Sequence, residues 1–187
     1  MSRLVVAALC CVAGATACVS TSPSRAPRPL SDEALVHCLA SGGDCLGDLP
    51  REVFKRGESV LPQLMKLKGD RRPYAGGFFG RPNSSTFVFL SPPGNPEFDR
   101  KKVLTNEVAA LYLICAIYEG RLDFADSPYL SDARLPPDRR EMTVAPELVA
   151  RAWAAVDEWM RALAAEGLSA LRQRSQGPLA GSEVFFW

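Results

Sequence analysis

Side chains able to act as nucleophile or base at neutral pH are few in this chain: one histidine, His37, and six cysteines, Cys10, Cys11, Cys18, Cys38, Cys45 and Cys115. A Ser-His-Asp or Cys-His arrangement would have to run through His37, because only a base titrating near neutrality takes the proton of such a nucleophile. His37 lies next to Cys38 in a short helical stretch, and no G-x-S-x-G turn occurs anywhere to present a serine. It reads as a surface histidine or one satisfied within the structure. Zinc held by His37, Cys38 and Cys45 fares no better. Adjacent residues conflict as ligands of one tetrahedral ion, and a fourth ligand is missing. No metal and no cofactor is expected, and the catalytic set is empty.

Acids and arginines offer two weaker constellations. Asp123, Asp126 and Asp132 surround Ser127-Pro128-Tyr129, but without the alternation and glycine of a calcium loop they read as solvated turn residues. Dispersed carboxylates leave a hydrolase as a minor reading only, since any chain of this size holds many such pairs. The stretch from Arg71-Arg72-Pro73-Tyr74 to Arg81-Pro82 interleaves arginine with aromatics, the residue types that dominate binding hot spots. Arg71, Arg72, Tyr74, Phe78, Phe79 and Arg81 therefore form the candidate partner-binding loop. The plainer reading, which we favour, has Phe78, Phe79 and Phe87 plugging the core while the arginines stay solvated.

The chain begins Met1-Ser2-Arg3, continues as an unbroken apolar run from Leu4 to Ala17, and reaches Cys18 before a stretch rich in Ser and Pro. One charge, an apolar run and small residues, in that order, make a secretory signal. As a helix the run extends roughly 20 Å, short of the roughly 30 Å hydrocarbon core. Ala15-Thr16-Ala17-Cys18 resembles the lipobox of bacterial lipoproteins. That resemblance covers the first eighteen residues and implies cleavage before Cys18, diacylation of its sulfur, and a membrane anchor at the new N-terminus. The usual leucine three positions before the cysteine is replaced here by Ala15. Val19 rather than an aspartate after the cysteine implies delivery to the outer membrane. The expected organisation is a signal peptide over 1–17, a lipidated cysteine with a Pro/Ser-rich tether over 18–29, and one domain over 30–187.

Export makes cysteine pairing relevant. Cys10 and Cys11 leave with the leader and Cys18 is spent on lipid, so Cys38, Cys45 and Cys115 remain. Cys38 and Cys45 flank Ser41-Gly42-Gly43-Asp44, a turn able to bring them together, and an oxidising compartment favours one bridge. A Cys38–Cys45 disulfide is expected, with Cys115 as a buried filler.

The elements behind these residues are mostly helical. Ser31 with Asp32 and Glu33 opens a helix ending before Gly42-Gly43, and Asp48 opens a second closed by Gly57. Glu58 to Lys68 reads as one more helix ended by Gly69. The Gly-, Pro- and aromatic-rich stretch from Asp70 to Lys102 holds a strand-like run, Ser84 to Leu90, and predicts a short hairpin or ordered loop with which Glu183–Trp187 could pair. Thr105 caps Asn106–Glu119, a helix with no polar side from Val108 to Tyr118 that belongs at the centre. An irregular segment follows to Thr143. Pro146 to Glu166 has Val149, Trp153, Val156, Met160 and Leu163 on one stripe, which predicts packing on the Val108–Tyr118 helix. Leu168 to Gln173 adds a short helix. The fold class is mainly α, a small domain of about five or six helices with a short β-hairpin or ordered loop insertion.

Lys+Arg totals 22 and Asp+Glu 21, and Arg3 leaves with the leader, so the exported part is balanced. Such a domain has no footprint for nucleic acid and no polybasic membrane patch. The expected protein is a lipoprotein of the cell envelope acting as a non-catalytic binding or protein-interaction module. The alternative is an immunity-type lipoprotein that neutralises a toxin aimed at the envelope.

Overall fold

Where the chain has no polar face, the structure places its centre. A computed structural model describes residues 29–42, 48–75 and 103–187. Cys18, the leader, the tether to residue 28, and the run Ser84 to Leu90 lie outside the described residues. Around the central helix the domain is mainly helical with one small antiparallel β-pair.

Helix α1 (Asp32–Ser41) starts where Ser31 Oγ accepts the Ala34 N–H at 3.2 Å, with Asp32 and Glu33 favourably placed in the first turn. Gly42 ends it in the left-handed region, its N–H donating to the Cys38 carbonyl. Helix α2 (Leu49–Arg56) is capped by Asp48, which accepts the Arg51 N–H. Both boundaries match the cap residues in the sequence.

The expected helix from Glu58 to Lys68 is broken up. Gly57–Val60 forms a 3-10 turn, α3 covers only Leu61–Met65, and turns lead on to Gly69. Pro62 explains the break. It has no N–H to donate to the Glu58 carbonyl four residues back, and its ring crowds that carbonyl. Leu61 instead donates to Glu58 in the tighter 3-10 pattern.

Helix α4 (Asn106–Glu119) is buried over every residue from Asn106 to Tyr118. Thr105 stands at its N-cap position, but its hydroxyl makes no capping bond. Helices α1 and α2 pack on each other, and α2 and α3 pack on α4. Helix α5 (Pro146–Glu166) covers another side of α4, burying Val149, Trp153 and Val156 of the expected stripe together with Leu148, Ala152 and Trp159. Met160 and Leu163 are partly buried at its edge. Trp159 meets Tyr118 edge-on at 6.1 Å between centroids. The short α6 (Leu168–Gln173) returns Arg172 to the end of α4, where it donates to the Ile117 and Tyr118 carbonyls of the last turn.

The small antiparallel β-pair expected beside the helices is present, with its first strand where an irregular segment was expected. Strand β1 (Leu130–Asp132) lies within the segment read as irregular, and β2 (Val184–Phe186) pairs with it antiparallel, Leu130 opposite Phe186 and Asp132 opposite Val184. The two strands are joined through α5 and α6, so the pair is no local hairpin. Thr143 flanks the other side of Leu130, exchanging N–H and carbonyl bonds with it at 3.0 and 2.9 Å. One continuous apolar cluster runs from α1 to β2. Among the described residues no helix is long and apolar enough to cross a membrane.

Candidate functional site

Two backbone crossings create the main concavity. Residues 72–74 run against 104–106, with the Tyr74 N–H donating to Leu104 and the Asn106 N–H to Arg72, and this fixes the entry to α4. Opposite, Thr143 on Leu130 fixes the entry to α5. Between these entries lies a cleft of about 1090 Å³, floored by Val103, Val144, Leu148, Val149 and Trp153. Its floor is apolar and its walls charged, a combination that binding clefts commonly show.

Among the described residues the walls carry four cations, Lys68, Arg71, Arg134 and Arg139, and four acids, Glu107, Asp132, Glu141 and Glu147. Two of the acids are buried. Glu107 is 8 % exposed; its Oε2 accepts the Gly69 N–H at 3.1 Å and its Oε1 lies 3.8 Å from Arg71 Nε. Asp132 is 9 % exposed and grips Arg134 through both carboxylate oxygens, at 2.7 to 3.2 Å, while Arg151 Nη2 approaches to 2.9 Å. The Arg134 guanidinium, with help from its backbone N–H and from Arg151, holds the Asp132 carboxyl far below the usual carboxylate range. The same pairing raises Arg134. Asp132 is therefore a fixed anion near neutral pH and cannot deliver a proton as a general acid.

Two buried polar atoms of cleft residues have no hydrogen-bond partner among the described residues: the indole N–H of Trp153 and the hydroxyl of Thr105. Leaving such an atom unpaired costs about 1–3 kcal/mol.

Of the candidate partner-binding loop, Arg71 is exposed and lines the cleft. Arg72 is turned to Asp70, 2.6 Å away, and Tyr74 is buried, its phenol raised well above its ordinary value by burial. Phe78, Phe79 and Arg81 lie outside the described residues. So does Cys45, whereas Cys38 is buried and disulfide-bonded. His37 is exposed on α1. Asp123 and Asp126 are exposed, apart from the ion-paired Asp132, and among the described residues no group of three or more His, Cys, Asp or Glu is placed to hold a metal.

The contribution of Glu107, Thr143 and the first turns of α5 to one cavity was missed from sequence. Glu107 stands in the first turn of a helix that is apolar on every face from Val108 to Tyr118, and an acid there is adequately explained by the helix dipole. A buried acid in the most buried helix was the signal that could have found it. A second cavity, of about 700 Å³, lies between the end of α4 and the C-terminal strand, with Cys115, Phe185 and Trp187 among its walls. No protein-family model, no curated protein and no solved structure matches this chain.

Proposed function

We propose that this protein is an envelope lipoprotein, anchored through acyl chains on Cys18, whose domain over 30–187 is a non-catalytic module that receives a protein partner in the cleft. The observation that carries the binding half is the cleft itself: an apolar floor under a rim that carries, among the described residues, four cations and four acids. Among the described residues the rim balances its signs, which suits a polypeptide bearing both charges. The non-catalytic half rests on the pairing of its buried acids. Asp132 is neutralised by Arg134 and Arg151, and Glu107 accepts a backbone N–H beside Arg71. The anchoring half rests on Ala15-Thr16-Ala17-Cys18 after the apolar leader.

The test has two parts. Cells fed labelled palmitate are expected to give a membrane-bound, acylated product from the native chain and none from Cys18→Ser; an unacylated, full-length native product overturns the anchor. A photocrosslinker at Leu135, an exposed residue of the rim, is expected to capture a discrete protein in those cells, and the capture should vanish with Val144→Asp, a partly buried wall of the cleft, and with a Val149→Asp variant whose thermal unfolding remains cooperative. Turnover of a substrate abolished by Asp132→Asn, with the fold intact, overturns the non-catalytic reading.

A further inference from the structure

The bond between Thr143 and Leu130 leaves its neighbours facing the other way. In an antiparallel pair, a residue that exchanges both bonds with its partner is flanked by residues whose N–H and C=O groups point to the opposite side. Thr143 exchanges both with Leu130. The backbone groups of Met142 and Val144 therefore point away from β1, and neither makes a backbone hydrogen bond among the described residues. Val144 is itself a wall of the cleft, with Glu141 and Thr143 beside it. Among the described residues the β2–β1–Thr143 ribbon thus ends in an unpaired edge, Met142 and Val144, which reaches the cleft at its Val144 end. Beyond Val144 the Ala145 N–H is taken by Thr143 Oγ1 at 3.1 Å and the chain enters α5, so the edge has a defined end.

We propose that the cleft takes an extended polypeptide segment of a partner protein by strand addition to the Met142–Val144 edge. This rests on the reading of the cleft as a binding surface and adds the mode of recognition. Two residues of the incoming strand, spaced by one, would each exchange an N–H and a carbonyl bond with Met142 and Val144. Side chains on one face of that strand meet Val144, Val149 and Trp153, and those on the other reach the mixed charges of the rim. The partner segment is accordingly apolar at alternate positions with residues of both signs between. Sheet edges left open in this way are what natural proteins otherwise cover or charge.

The experiment uses the purified full chain and a phage-displayed library of random linear 12-residue peptides. A selected peptide is resynthesised with single N-methyl groups along its length, each removing one donor without touching the protein. Affinity is expected to fall about tenfold or more at every second position of a short stretch and to hold at the positions between. Amide exchange should slow at Met142 and Val144 on binding, and Val149→Asp should abolish it. A peptide that Val149→Asp abolishes but whose N-methyl scan lacks the alternation overturns strand addition and leaves the binding-module reading intact. A library yielding no peptide sensitive to Val149→Asp overturns the inference, as does self-association of the chain that protects Met142 and Val144 without any peptide. The palmitate and crosslinking results decide the broader reading separately.

Discussion

Arg151 Nη2 on α5 lies 2.9 Å from Oδ2 of Asp132 on β1, so the longest helix among the described residues is tied by charge to strand β1. The sequence spacing would pair Arg151 with Glu147 one turn earlier on the same helix. The tertiary partner wins because Asp132 is buried and already positioned by Arg134.

Acid sensitivity follows from that pair and from Asp70. Hydrogen bonds from Arg72 foremost, and also from Asn106, lower the Asp70 carboxyl to about 2, and Asp132 lies lower still. In the unfolded chain such groups titrate near 3.9. Between those values the unfolded chain binds more protons, so the stabilisation present above pH 4 is lost as pH falls through the folded-state values. Urea unfolding at stepped pH is expected to show the midpoint dropping below pH 4. Asp132→Asn should start lower at neutral pH and fall less steeply, and an unchanged acid limb in that variant would contradict the assignment.

Asn106 joins three parts of the fold from a fully buried position. Its Nδ2 donates to the Ala40 carbonyl of α1 at 3.0 Å and to Asp70 Oδ2 at 3.1 Å, while its own N–H donates to Arg72. Asn106→Asp keeps the shape but turns two donated bonds into repulsion between acceptors and buries a charge beside Asp70. A loss of about 3–5 kcal/mol is expected, the range for an uncompensated buried charge. Asn106→Ala should cost about 1–3 kcal/mol. Equal losses would mean that the amide acts by volume alone.

Gly42 and Gly69 separate backbone strain from crowding. Both have positive φ, but a Cβ on Gly42 would stand 2.5 Å from the Cβ of Ala75, whereas one on Gly69 meets nothing within 4 Å. Gly69→Ala should cost about 1–2 kcal/mol, the left-handed penalty. Gly42→Ala should cost distinctly more, and the double variant Gly42→Ala, Ala75→Gly should recover the excess. Thermal unfolding of the three variants measures both parts, and equal single-variant losses would remove the contact from the account.

The helices were legible because their signals are local: Ser31 and Asp48 cap, Gly57 stops, and the stripe through Val149, Trp153 and Val156 repeats at helical spacing. Strand β1 was not. Leu130, Ser131 and Asp132 are all buried, so no alternation marks a strand, and what makes them one is the return of Val184–Phe186 from over fifty residues away. The cleft was hidden for the same reason. Its walls come from segments around positions 70, 105, 133 and 145, and no spacing within one segment announces that Glu107 and Asp132 share a cavity.

The cysteines give the last prediction, because the two described ones differ in state. Cys38 is disulfide-bonded, and Cys115 is a free thiol buried inside α4. Pairing of Cys38 with Cys45 closes a loop short enough to be worth roughly 2 to 3 kcal/mol in the chain-entropy model. Non-reducing peptide mapping is expected to recover these two residues in one linked fragment, and the double variant Cys38→Ser, Cys45→Ser should lose about that stability; a map linking Cys38 to any other cysteine ends the assignment. Burial pushes the Cys115 thiol far above its ordinary value, so little thiolate exists there to react. In native buffer, labelling of Cys115 by iodoacetamide is expected to follow the opening of the domain and to accelerate sharply in urea. Rapid labelling of the native chain at Cys115 would show that the cavity beside Phe185 and Trp187 admits reagent to α4, and the buried assignment would fail.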